Sequence, residues 1–124
     1  MAEVIRYSDE APRRAKKLPE PTGFRLLIAL PDVEETTEGG IVVPDERRDA
    51  ESVASIVGFV LESGPDAYSD ESRFPNGPWC KKGDWVVMRA YSGTRLRVHG
   101  KEFRIINDDS VEAVVEDPRG VARA

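Results

Sequence analysis

Thr94-Arg95-Leu96-Arg97-Val98-His99-Gly100-Lys101-Glu102-Phe103-Arg104-Ile105-Ile106 is the stretch whose reading decides the fold. From 94 to 99 the side chains alternate. Leu96 and Val98 face one side and Arg95, Arg97 and His99 the other, the period-two pattern of a half-buried strand. Gly100-Lys101 reads as a tight connection into a return strand over 102–106, so 94–106 is expected to be a hairpin. Downstream, Asn107-Asp108-Asp109-Ser110 turns the chain into a last strand over 111–116, where Val111, Ala113 and Val115 alternate with Glu112 and Val114, and Pro118 ends it. Upstream, 84–88 carries Trp85, Val86, Val87 and Met88. Residues 53–62 are rich in β-branched side chains, with Gly58 suggesting a bulge or bend. The apolar run 24–30, bounded by Gly23 and Pro31, is short enough to favour a strand over a buried helix. Six short strands with little helix predict an all-β domain, a small barrel or sandwich.

The chain has 124 residues, room for one core. Ten glycines and nine prolines point to turns. One Cys and one His provide neither an internal disulfide nor, by themselves, a tetrahedral zinc site. No apolar run approaches a membrane span or a secretory signal, so a soluble protein of a reducing compartment is expected. The net charge of -5 is unevenly placed. Residues 1–19 carry five basic and three acidic side chains and read as a flexible arm closed by Pro12, Pro19 and Pro21. Residues 31–52 carry eight acidic and two basic side chains, a composition that favours a solvated segment. Residues 63–83 are turn-rich, with Gly64-Pro65 and Pro75-Asn76-Gly77-Pro78.

Inside the acidic segment lies Gly39-Gly40-Ile41-Val42-Val43-Pro44. Three β-branched residues flanked by glycines and charges are either a brief edge strand or an apolar anchor that orders on a partner. Burying three such side chains stabilises by about 1.5–3 kcal/mol each. Ordering a dozen residues costs about 1–2 kcal/mol each in backbone entropy. One such loop is expected to bind weakly, and several held on a rigid ring to bind well through effective concentration.

Catalysis has little support in these residues. His99 lies on a polar strand face between Arg97 and Gly100, and Cys80 follows Trp79 in a turn with no motif to activate it. The pairs Glu34-Glu35 and Asp108-Asp109 lie in a loop and a turn, and Gly39-Gly40 lacks the Lys-Ser/Thr of a phosphate cradle. No catalytic residue and no metal ligand is assigned. The alternative is a small barrel of OB type that binds single-stranded nucleic acid, with Arg89, Arg95, Arg97, Lys101 and Arg104 as cations and Tyr91 and Phe103 as stacking rings. The acidic balance argues against it.

Taken in order, these pieces resemble the chaperonin-10, or GroES-type co-chaperonin, family. Pro21 to Arg25 is similar to the family's opening Pro-x-x-x-Arg, and Gly39-Gly40-Ile41-Val42-Val43 to its mobile-loop core. Ile56-Val57-Gly58-Phe59-Val60-Leu61-Glu62-Ser63-Gly64 is similar to the Gly-x-Val-x-x-x-Gly strand. Lys81-Lys82-Gly83-Asp84-Trp85-Val86-Val87, Tyr91-Ser92-Gly93-Thr94 and 110–116 complete the series. The resemblance implies a small GroES-like β-barrel over 20–118, with a mobile loop at about 31–52, a roof segment at about 63–82, a flexible arm over 1–19 and a tail over 119–124. It implies a ring, typically of seven, that caps an ATP-loaded GroEL-type chaperonin in the cytoplasm and encloses a client protein. It implies no cofactor of the chain's own, ATP being bound by the partner, and no nucleic-acid or membrane partner. Gly39, Gly40, Ile41, Val42, Val43 and Pro44 would bind the chaperonin. Phe24, Leu26 and Ile28 of the first strand would pair with Val111, Ala113 and Val115 of a neighbour's last strand, each otherwise an open edge. Tyr91 would line the chamber, or be a buried barrel-corner tyrosine. The long arm, long loop and enlarged roof segment resemble those of virus-encoded co-chaperonins, whose cytoplasm would be the host's.

Overall fold

A computed structural model describes residues 18–31 and 52–124. Six strands form one antiparallel sheet: β1 (Arg25–Ala29), β2 (Val57–Ser63), β3 (Trp85–Met88), β4 (Thr94–Val98), β5 (Lys101–Asn107) and β6 (Val111–Val115). Their order in the sheet is β4-β5-β1-β2-β3-β6, the small all-β architecture expected, with helix among the described residues limited to single turns.

The hairpin forms as read, with Val98 opposite Lys101. Its two-residue turn is His99-Gly100, both at positive φ (50° and 78°), the paired left-handed conformation that suits the twist of flanking strands. The connection therefore begins one residue earlier than expected. The strand foreseen over 53–62 is shortened: residues 52–54 are helical and β2 starts at Val57. Ser55 explains the difference, because its hydroxyl donates to the Ser52 carbonyl at 2.6 Å and the Ile56 amide donates to Val53 at 3.0 Å. Such local bonds give the backbone an alternative to a ladder.

The irregularity expected at Gly58 lies elsewhere. Leu27 faces Glu62 and Ile28 faces Val60, so Leu61 is the extra residue of the β1–β2 pairing. Gly58 instead makes room: a Cβ there would fall 2.0 Å from Cγ2 of Ile28 and 3.2 Å from Cε of Met88.

The main core gathers Leu26, Ile28 and Leu30 with Val60, Val86, Met88, Ile106 and Val111. Tyr68, Phe74 and Cys80 join it from the connection between β2 and β3. This connection, which the family resemblance equates with a roof hairpin, contains no strand and folds back onto the sheet. Its start is tied down by the Gly64 amide on the Arg25 carbonyl (2.7 Å) and the Asp66 amide on Gly23 (2.8 Å). Phe74 packs edge-on against Tyr68 and Trp79, each at 4.9 Å between centroids, a favourable aromatic geometry.

The expectation that both end strands are open edges is half corrected. β1 lies between β5 and β2 and is a central strand. The edges of the sheet are β4 and β6.

Candidate functional site

Gly39, Gly40, Ile41, Val42, Val43 and Pro44, the residues expected to bind a chaperonin, lie outside the described residues. The structure does describe where the chain leaves the sheet before them and where it returns.

On the outgoing side, β1 ends in Leu30, which is buried in the core and donates its amide to the Glu102 carbonyl at 3.2 Å. On the returning side, Ala54 and Ser55 are fully buried, and the Ser55 carbonyl accepts a bond of 2.8 Å from Nη1 of Arg104. The same carbonyl receives the Tyr91 amide at 3.4 Å, and the Ile56 carbonyl receives the Met88 amide at 2.7 Å. Both stems of the acidic segment are thus fastened to β5, at residues two apart in sequence.

The β4–β5 face that carries these stems is charged. Glu102 receives Nε (3.0 Å) and Nη2 of Arg95 and Nη2 of Arg97 (3.1 Å). The Arg95 bond, followed by that from Arg97, holds its carboxyl below the usual carboxylate range. Arg104 beside them is 1% exposed, and burial lowers its guanidinium pKa. Phe103 is buried as well. Of the five cations expected to suit nucleic acid, Arg95 and Arg97 are engaged with Glu102 and Arg104 is buried; of the two rings, Phe103 is buried.

The other sequence-derived site residues separate by burial. Leu26 and Ile28 are fully buried and lie on β1, which has a strand on either side, so they serve this protomer's own core; the Val111 side chain, 4% exposed, is also in the core, but its strand β6 is an edge. Phe24 and Ala113 are exposed and Val115 is half-buried. Val115 pairs with Trp85, whose ring packs edge-on against Phe59 at 5.1 Å, so an apolar patch borders the β6 edge. Tyr91 is 67% exposed, which removes the alternative of a buried corner tyrosine. Its φ of 59° is unusual for a non-glycine residue. Arg123 donates to its hydroxyl at 2.9 Å and stands 5.0 Å from its ring centroid, leaving most of the side chain open.

Three residues escaped the sequence reading. Arg104 looked like one more exposed hairpin cation, and Tyr68 and Asp108 looked like loop residues. Only the strand alternation carried a signal: Arg104 shares a period-two face with Ile106, a core residue.

The family model of the chaperonin 10 kDa subunit matches residues 19–115. The chain belongs to the chaperonin-10 family. Its curated relatives are GroES co-chaperonins. That of Caldicellulosiruptor saccharolyticus is 37% identical over 97 residues, covering 78% of this chain and 96% of the relative. Those of Ruminiclostridium cellulolyticum and Corynebacterium diphtheriae are 34% and 32% identical, each covering 78% of this chain and 97% and 93% of the relative. The GroES-type identity thus agrees with the order of motifs in the sequence and with the all-β sheet. Among the described residues no helix is long and apolar enough to cross a membrane.

Proposed function

We propose that this co-chaperonin caps a GroEL-type chaperonin, docking through Ile41, Val42 and Val43, and encloses a client protein in the chamber so formed. The observation that carries this reading is the rooting of both stems of the acidic segment on one strand, Leu30 through Glu102 and Ser55 through Arg104. A rigid base under a solvated segment is what a weak apolar anchor needs when several copies act together. The chain itself acts by binding and holds no cofactor; ATP works on the partner, in the cytoplasm.

Assembly into a ring, of seven subunits, follows from the same reading. Among the described residues no strand pairs with the outer side of β6, beside Ala113 and Val115, and such an edge calls for a cover. Phe24, 43% exposed, is the part of the first-strand assignment that remains available to a neighbour. Tyr91 would face the chamber.

The test is replacement of Ile41, Val42 and Val43 by Ser. ATP-dependent co-sedimentation with a GroEL-type chaperonin is expected to be lost while the ring survives in negative stain. Retained co-sedimentation overturns the anchor assignment.

A further inference from the structure

Arg104 is the largest fully buried side chain of the described residues. Among those residues no carboxylate forms an ion pair with it; the nearby Glu102 carboxylate is engaged by Arg95 and Arg97. A buried guanidinium without a paired carboxylate is costly, and an apolar side chain of similar volume at such a place is often neutral or stabilising. Among the described residues its guanidinium donates to the Ser55 carbonyl, at the end of the helical turn through which the acidic segment re-enters the sheet. Ser55 continues the contact with its hydroxyl on the Ser52 carbonyl, the first described residue after the segment. A charged donor on a desolvated carbonyl is a strong, directional bond. The stability lost in burying Arg104 thus goes into fixing one place: the root of the segment that carries the anchor.

We infer that Arg104 is a positioning residue for chaperonin docking, holding the returning stem at Ser55 against β5 so that the segment between Leu30 and Ser52 starts from a fixed span. The inference rests on the proposed role of Ile41, Val42 and Val43. The reason is entropic. A segment whose ends are held at a set separation has less freedom to lose when it orders on a partner. A loose stem adds residues 52–56 to those that must be ordered at docking. The outgoing stem needs no such device, because Leu30 is already held by core packing and by the Glu102 carbonyl.

The test compares the parent with Arg104→Met, which keeps volume and removes the charge, and Arg104→Lys, which keeps one charged donor. Three quantities are read on the assembled protein: melting temperature, amide hydrogen exchange, and affinity for a GroEL-type chaperonin with ATP by biolayer interferometry. For Arg104→Met the melting temperature is expected to hold or rise. Exchange should quicken at Ile56 and Tyr91 and stay unchanged over 25–29. Affinity should fall about tenfold, the loss expected for one bond from a charged donor. Arg104→Lys should fall between. Unchanged affinity, or faster exchange spread over all six strands together with a lower melting temperature, overturns the inference and leaves Arg104 a structural residue. If Arg104→Met does not assemble, Arg104→Lys carries the test, and parental affinity together with faster exchange at Ile56 overturns it. The triple Ser variant separates the two claims: if it binds like the parent, the anchor assignment fails, while the exchange pattern still decides whether Arg104 holds the stem.

Discussion

Tyr68 and Asp108 are joined twice. The Tyr68 amide donates to Oδ2 of Asp108 at 2.9 Å, and the Tyr68 hydroxyl donates to the Asp108 carbonyl at 2.8 Å. Forty residues separate them in sequence, and together they pin the long β2–β3 connection to the turn before β6. The pairing holds Tyr68 at a φ of 58°, a conformation that tyrosine seldom adopts.

Removing the hydroxyl alone, Tyr68→Phe, should therefore cost about 1 kcal/mol, and Asp108→Ala about 2–3 kcal/mol because it strands the buried Tyr68 amide. Urea unfolding of both variants checks this. A Tyr68→Phe variant as stable as the parent would show that the hydroxyl bond contributes nothing net.

Gly58 is a packing position. Ala at 58 puts a methyl carbon against Cγ2 of Ile28 and should destabilise by about 1–3 kcal/mol through overpacking. The double variant Gly58→Ala with Ile28→Ala should be more stable than the sum of its parts by about 1 kcal/mol or more, since the new methyl fills part of the space vacated. Strict additivity in thermal unfolding would contradict the contact.

Cys80 is buried, and that burial pushes its thiol up from the ordinary value of 9.0. Folding accordingly favours the protonated thiol. That contribution is complete below the unfolded thiol's pKa and is lost as pH rises through the folded value. Stability should decline above about pH 9, and Cys80→Ala should flatten part of the decline. Iodoacetamide at pH 8 should label the native protein far more slowly than the urea-unfolded chain. Equal labelling rates would place the thiol at the surface.

The two ends of the sheet should respond differently to charge. Val115→Asp, at the β6 edge, should shift the assembly toward folded monomer, seen by native mass spectrometry with an unchanged β circular-dichroism spectrum. Leu26→Asp should unfold the protomer, because it buries a carboxylate in a central strand. A folded monomer from Leu26→Asp would return β1 to the interface.

Alternation, turn residues and β-branched runs were sufficient to locate all six strands, because each is short and carries its own pattern. Pairing order was not legible. Arg25-Leu26-Leu27-Ile28-Ala29 reads the same at an edge as at the centre, and only contact with both β2 and β5 distinguishes the two. For the same reason Leu26 and Ile28 suit an interface as well as a core by sequence alone, and burial places their side chains in the core. The helical turn at 52–54 is hidden in the sequence, because Val53, Ile56 and Val57 suit a strand while two local bonds around Ser55 decide against it. The burial of Arg104 is not legible in the sequence, because its partner carbonyl on Ser55 lies 49 residues away. Ile41-Val42-Val43 stands out in the sequence because three β-branched residues sit in so polar a segment.

The central place of β1 also sets a timetable for synthesis. Arg25 pairs with Asn107 and Leu27 with Ile105, so one whole side of β1 waits for strand residues made some eighty positions later. At ribosomal speeds of about 5–20 residues per second, Leu26, Leu27 and Ile28 spend roughly 4–16 s without their β5 partners. Long-range pairing of this kind also slows folding once the chain is complete. Of the described pairings, that of β1 with β5 spans the most sequence, so one side of an apolar strand in this folding assistant stays open longest while the chain is being made.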